Sequence, residues 1–152
     1  MDLVHISLIE ALVPVLRDLE TSGLVVPAVL DDDWSDDDGQ LTGRLAVPGG
    51  VELGVSVLAG EPVPEQIAWV ADQVQEWAVE ELWTAGQPTN WPPCPEHPGT
   101  HPLAPAVHGG AAEWMCPKSE RVVSEIGRLP GSRSQERIPA RPRRAVRPRP
   151  KN

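Results

Sequence analysis

"LTGRLAVPGGVELGVSV", residues 41–57, is the stretch on which the reading of the fold turns. In an extended chain Leu41, Gly43, Leu45 and Val47 share one face, with Thr42 and Arg44 on the other. After Pro48-Gly49-Gly50, Val51, Leu53, Val55 and Val57 alternate with Glu52, Gly54 and Ser56. Two period-two runs joined by turn residues predict a β-hairpin with one buried face. A single hairpin is not stable alone in water, so its apolar face needs a cover.

The flanks supply one. Upstream, residues 3–22 place Ile9, Leu12, Val13, Leu16 and Leu19 at steps of three and four, with Glu10, Arg17, Asp18 and Glu20 opposite. That spacing predicts an amphipathic helix ended by Gly23. Pro14 lacks an amide donor and is expected to kink the helix or to shift its start toward residue 11. "LVVPAVL", 24–30, predicts a short strand that Pro27 confines to a sheet edge. The following "DDDWSDDDGQ", 31–40, reads as a solvated loop between strands. Downstream, "GEPVP" introduces a second helix with Pro64 at its first position and Glu65 near its positive end. Its apolar stripe is Ile67, Val70, Ala71, Val74, Trp77 and Ala78, and Gly86 closes it; Trp69 and Trp83 fall off the stripe and are expected to meet another surface. The sum is an α+β fold: a helix–three-strand meander–helix layer spanning 1–86.

Proline density then rises, and 88–128 follow different rules. "CPEHPGTHPLAPAVHGGAAEWMCPKS", 94–119, holds two Cys-Pro turns, with residues 101–107 and 111–115 flanking "HGG" as a hairpin. A Cys-Pro-x-(Cys/His) turn aims two ligands at one point, and zinc takes four N or S ligands in a tetrahedron. Knuckle, hairpin, knuckle resembles a degenerate zinc ribbon. The segment is also similar to the C-terminal part of small uncharacterised actinobacterial proteins carrying a "WPxCPxHxxHPL…WxCP" pattern, here "WPPCPEHPGTHPL" and "AEWMCP". That resemblance implies architecture and no activity.

Cys94, His97 and Cys116 are the candidate metal ligands, but Ser119 stands where a ribbon places its last cysteine. His101 is the first candidate for the missing ligand, ahead of Glu120 and His108. The alternatives are three ligands with a water in the fourth position, or a ribbon held without metal by Trp91, Leu103, Val107 and Trp114. Zinc is the expected cofactor if the site is intact.

Charge divides the chain. Residues 1–129 carry 5 basic and 21 acidic side chains, a net of −16, whereas residues 130–152 carry 8 basic and one acidic, a net of +7. The acidic body disfavours nucleic acid and anionic membranes as partners. Residues 129–152, "LPGSRSQERIPARPRRAVRPRPKN", lack an apolar period and are expected to form a disordered basic Pro/Arg-rich tail. Such a tail could associate with nucleic acid through phosphates, or lie on the acidic body.

Six aspartates occupy residues 31–38. They do not fit a calcium loop, because counting from Asp31 puts Asp36 where glycine is needed and Thr42 where glutamate closes the loop. Trp34 with Asp33, Asp36 and Asp37 is instead a candidate protein-binding surface, tryptophan being favoured at binding hot spots. No phosphate-binding glycine loop, nucleophile elbow or H-E-x-x-H motif is present, so no catalytic residue is assigned and no enzyme is expected. Neither a signal peptide nor a membrane span is read, and Cys94 and Cys116 are expected as thiols or ligands in a reducing cytoplasm. The expectation is a cytoplasmic, non-enzymatic protein-interaction module with a structural or vestigial zinc site. Association with nucleic acid through the tail is the alternative.

Overall fold

The computed structural model describes residues 3–37, 40–47, 49, 51–58 and 60–130, and for 3–7, 31–37 and 51 the backbone alone. The chain runs α1 (Leu3–Thr21), β1 (Ala28–Asp37), β2 (Gln40–Val47), β3 (Val51–Leu58), α2 (Val63–Thr84), β4 (Ala104–His108), β5 (Ala111–Met115) and β6 (Val122–Glu125). It is a mixed α+β fold with two antiparallel three-stranded sheets, ordered β1-β2-β3 and β4-β5-β6. The basic tail from residue 131 onward lies outside the described residues.

The hairpin pairs as its alternation requires: Leu45 faces Leu53, Gly43 faces Val55 and Leu41 faces Val57. Leu41, Leu45, Val47, Val55 and Val57 are buried. On the other face Arg44 meets Glu52 at 3.1 Å, an exposed pair that contributes little to stability. The first strand differs from expectation. It begins at Ala28 and continues through the aspartates to Asp37, with Ser35, Asp36 and Asp37 paired to Thr42, Leu41 and Gln40 after an irregularity between Leu30 and Ser35. Residues 31–37 of the stretch read as a loop therefore belong to an edge strand. Strand β2 extends back to Gln40 and offers the ladder, and edge strands accommodate charged residues.

Both helices end as expected. Leu24 N–H bonds Leu19 O and Gly23 N–H bonds Glu20 O, and the same pair of bonds recurs at Gln87–Leu82 and Gly86–Trp83. These are Schellman closures, with Gly23 at φ 74° and Gly86 at φ 68°. Pro14 neither starts nor ends α1, which runs through it. Gly127 lies against that proline: a Cβ there would stand 2.7 Å from the Pro14 Cβ.

The buried stripe of α1 is rotated from the expected one. Leu8, Ala11, Leu12, Val15, Asp18 and Leu19 are buried, whereas Ile9 and Val13 are 37% and 48% exposed. The run from Leu8 to Leu16 is apolar on almost every side, so periodicity alone does not choose among its faces. Asp18, placed on the polar face from sequence, turns out fully enclosed.

Three glutamines of α2 bond backbone groups of the segments packed beside the helix. The Gln73 side-chain amide accepts from Ser56 N–H at 3.0 Å and donates to Ser56 O at 2.7 Å, capping the outer edge of β3. Gln66 donates to Leu58 O on the same edge. Gln75 donates to the carbonyls of Trp91 and Leu103 in the second half of the chain. Residues two apart on a helix point about 200° apart, so Gln73 and Gln75 reach opposite sides of α2. The helix thus stands between the two sheets, touching β3 on one side and β4 and β5 on the other. One continuous hydrophobic cluster joins Leu12 and Leu45 to Trp91, Leu103 and Trp114.

Candidate metal centre

Three of the four candidate ligands come from one closed loop. Pro93 and Pro102 pair as an isolated bridge, and Leu103 N–H bonds Pro92 O at 2.7 Å, so residues 93–102 return on themselves. Within the loop, Thr100 bonds His97 O through both its amide and its hydroxyl, at 3.2 and 2.7 Å. That turn brings His101 back over His97, with ring centroids 5.0 Å apart.

Cys116 arrives from the second turn, directly after β5. Its N–H bonds Arg121 O and its O accepts from Glu120 N–H, each at 2.9 Å, and Glu120 takes a left-handed φ of 62° to close the turn. Each turn follows a buried tryptophan, and the rings of Trp91 and Trp114 meet edge to face with centroids 5.6 Å apart.

The ligand atoms of Cys94, His97, His101 and Cys116 all lie within 4.8 Å of one another. His97 Nδ1 stands 3.6 Å from Cys94 Sγ, 3.5 Å from Cys116 Sγ and 3.1 Å from His101 Nε2. Cys116 Sγ is 3.8 Å from His101 Nε2. A tetrahedron with metal–sulfur bonds of about 2.3 Å and metal–nitrogen bonds of about 2.05 Å has S···N edges of about 3.5 Å and an N···N edge of about 3.3 Å. These four of the six edges match within a few tenths of an ångström, and the remaining two, from Cys94 Sγ to Cys116 Sγ and to His101 Nε2, are no longer than 4.8 Å.

The surroundings orient the ligands. His101 Nδ1 lies 2.9 Å from Pro102 O, so Nδ1 carries the proton and Nε2 presents a lone pair to the cluster. Both cysteines are free thiols and buried. Burial pushes the Cys116 thiol up, but the Ser119 hydroxyl, the Ser119 and Lys118 amides and Cys94 together pull it down to about 6. A thiol so placed is poised to ionise, the form that binds metal.

Ser119 is not among the ligands. Its hydroxyl donates to Glu96 Oε2 at 2.8 Å and accepts from Arg121 N–H at 3.3 Å, while its N–H points to Cys116 Sγ at 3.5 Å. The serine ties the two turns together, and His101 holds the fourth place. His108 and Glu120, the other candidates, are exposed and outside the cluster. Cys94, His97, His101 and Cys116 therefore form a group of Cys2His2 type, compatible with a metal ion such as zinc.

The candidate binding residues fall elsewhere. Asp33, Trp34, Asp36 and Asp37 are strand positions of β1, and their side chains lie outside the described residues. Trp69 and Trp83, by contrast, are 50% and 78% exposed on α2.

One residue that sequence reasoning passed over ties the second sheet to α1. Asp18 accepts from Trp114 Nε1 at 2.8 Å, Gly127 N–H at 2.7 Å and Leu129 N–H at 3.0 Å. Burial pushes its carboxyl above the usual range, while those three donors and the nearby Arg17 pull it back in part. A second tie runs from Trp91 Nε1 to Ser22 Oγ at 2.9 Å. Among the described residues no helix is long and apolar enough to cross a membrane. No protein-family model, curated protein or solved structure matches this chain.

Proposed function

We propose that the protein is a non-enzymatic cytoplasmic interaction module whose second sheet is held by a structural zinc ion on Cys94, His97, His101 and Cys116. The observation that carries this reading is the convergence of four ligand atoms within 4.8 Å, with four of their six separations close to the edges of a zinc tetrahedron. Two thiolates and two imidazoles are the donor set that zinc favours. Four protein ligands leave no open position for substrate or water, so the ion's work is to stabilise. It joins the 93–102 loop to the turn after β5, where no regular element spans the gap. The partner in this reading is another protein of basic character, because residues 1–129 carry a net −16. The surface proposed for it is Trp34 with Asp33, Asp36 and Asp37 on the edge strand β1.

Elemental analysis of the untagged full chain, purified under reducing conditions, tests the metal. About one zinc per chain is expected. His101→Ala should lower that content, and cobalt substituted for zinc should give the intense visible bands of a tetrahedral thiolate site. A folded protein without metal, and without affinity for added zinc, overturns the reading.

A further inference from the structure

The second-half sheet and α2 do not meet flush along their whole length. Between them runs a groove of about 460 Å³, lined by Trp69 of α2, Leu58 at the end of β3, and Pro105 and Val107 of β4. Trp69 is 50% exposed there and Leu58 39%. Glu61, Glu65 and Asp72 form its rim. All three are exposed, and among the described residues none is in an ion pair. An apolar floor with a wide indole and an uncompensated acidic rim is suited to a cationic, proline-containing strand. Polyproline-type segments dock in aromatic-lined grooves because they have no hydrogen-bonding demands of their own, and guanidinium groups stack on indole faces.

The chain carries such a segment. Residues 141–151 read "RPRRAVRPRPK", with three prolines, six cationic side chains and no acidic one. The described residues end at Pro130, eleven positions before Arg141. Pro130 and Leu82 of α2 line one cavity, and Trp69 lies thirteen residues back along the same helix, about 20 Å at 1.5 Å per residue. Eleven extended residues span about 35 Å, more than that separation. The segment can therefore reach the groove without leaving its own molecule, at the high effective concentration of a tethered ligand. We propose that the groove between Trp69 and the Pro105–Val107 strand is the docking site of the chain's own Arg/Pro segment, residues 141–150, with Trp69 stacking on arginine and Glu61, Glu65 and Asp72 pairing with its charges.

Nitrogen-15 spectra of the full chain test this, because each tryptophan gives its own indole signal and Trp69→Phe identifies the one required. Arg141, Arg143, Arg144, Arg147 and Arg149 are replaced together by Gln. The Trp69 signal is expected to move, with the Trp83 signal unchanged. The double substitution Glu65→Gln, Asp72→Asn should sharpen the amide signals of 141–150, as should salt at about 1 M, where the screening length is only about 3 Å. A Trp69 signal indifferent to the five substitutions overturns the proposal. Equal movement of Trp69 and Trp83 also overturns it, since that marks diffuse screening of an acidic body. A Trp69 signal that shifts on dilution of the parent protein overturns the intramolecular assignment in favour of a second copy.

Discussion

The indole of Trp114 donates to the buried carboxylate of Asp18 at 2.8 Å, joining residues 96 positions apart in the chain. Trp114 belongs to β5 of the second sheet, and Asp18 to the first helix. The same carboxylate receives the backbone N–H groups of Gly127 and Leu129, so the end of the second sheet is fastened to α1 at one point. Three aimed donors hold this enclosed acid, and the nearby Arg17 adds a smaller favourable charge.

Removing that carboxylate should be costly. Asp18→Ala leaves the Trp114 indole and two backbone amides without their acceptor, and the expected loss is about 3 kcal/mol or more. Asp18→Asn keeps one acceptor oxygen but turns an NH2 group toward an N–H donor, costing about 1–2 kcal/mol. Urea unfolding at neutral pH measures both, and a change below 0.5 kcal/mol in the alanine variant, roughly the scale of ordinary surface substitutions, would contradict this role.

Asp18 also sets a pH dependence of known sign. Burial raises its folded pKa above the ordinary value of 3.8, so the folded state holds the proton more tightly than the unfolded chain. Its favourable contribution is full below 3.8 and is lost as pH rises through the folded value. Other carboxylates titrate in the same range, so the comparison is between parent and Asp18→Asn. The stability advantage of the parent should grow as pH falls toward 4; an advantage that shrinks in that direction gives the opposite sign and rules the account out.

Ser119 and His101 should separate cleanly. Ser119→Ala loses exposed bonds to Glu96 and Arg121 but no ligand, so zinc stoichiometry should hold, with affinity falling by no more than the about 10–100-fold typical of supporting groups. His101→Ala removes a ligand atom, and its loss should be larger. Competition with a chromophoric chelator reads both affinities. Equal losses in the two variants would mean that His101 does not hold the fourth place.

Gln73→Leu tests the edge of the first sheet. The substitution leaves Ser56 N–H and O unpaired on β3, at an expected cost of about 1–3 kcal/mol. An uncapped edge also invites pairing with another chain, so the variant should associate at concentrations where the parent does not. Thermal unfolding with light scattering follows both effects.

Much of this molecule is legible in local pattern. The β2–β3 hairpin follows from strict alternation around Pro-Gly-Gly, and its inner face is the one that the pattern names. The bounds of α2 follow from Pro64 and Gly86, which act within one turn of where they stand. Cys94, His97 and Cys116 are legible because ligand spacing within a turn is a local property, and His101 joins them by lying four residues beyond His97.

Other features have no local signature. Residues 31–37 are charged in a way that suggests a loop, yet the partner strand β2 extends far enough to draw Ser35, Asp36 and Asp37 into its ladder. Strand β6 is four residues long and exists by pairing with β5. The glutamines of α2 read as polar helix surface until β3 and the 91–103 segment arrive beside them.

The amino-acid sequence by itself determined the helices, the hairpin and the metal-ligand candidates, because each depends on residues only a few positions apart. The tertiary structure alone decided which face of α1 is buried, why an aspartate lies in that face, and that Cys116 meets the loop of Cys94, His97 and His101. Those outcomes depend on groups brought together from 15 to 111 positions away, such as Cys116 on His101 and Leu129 on Asp18. The physical reason is desolvation: a buried carboxylate or an ordered ligand cluster is tolerable only when its partners are already in place, and packing puts them there.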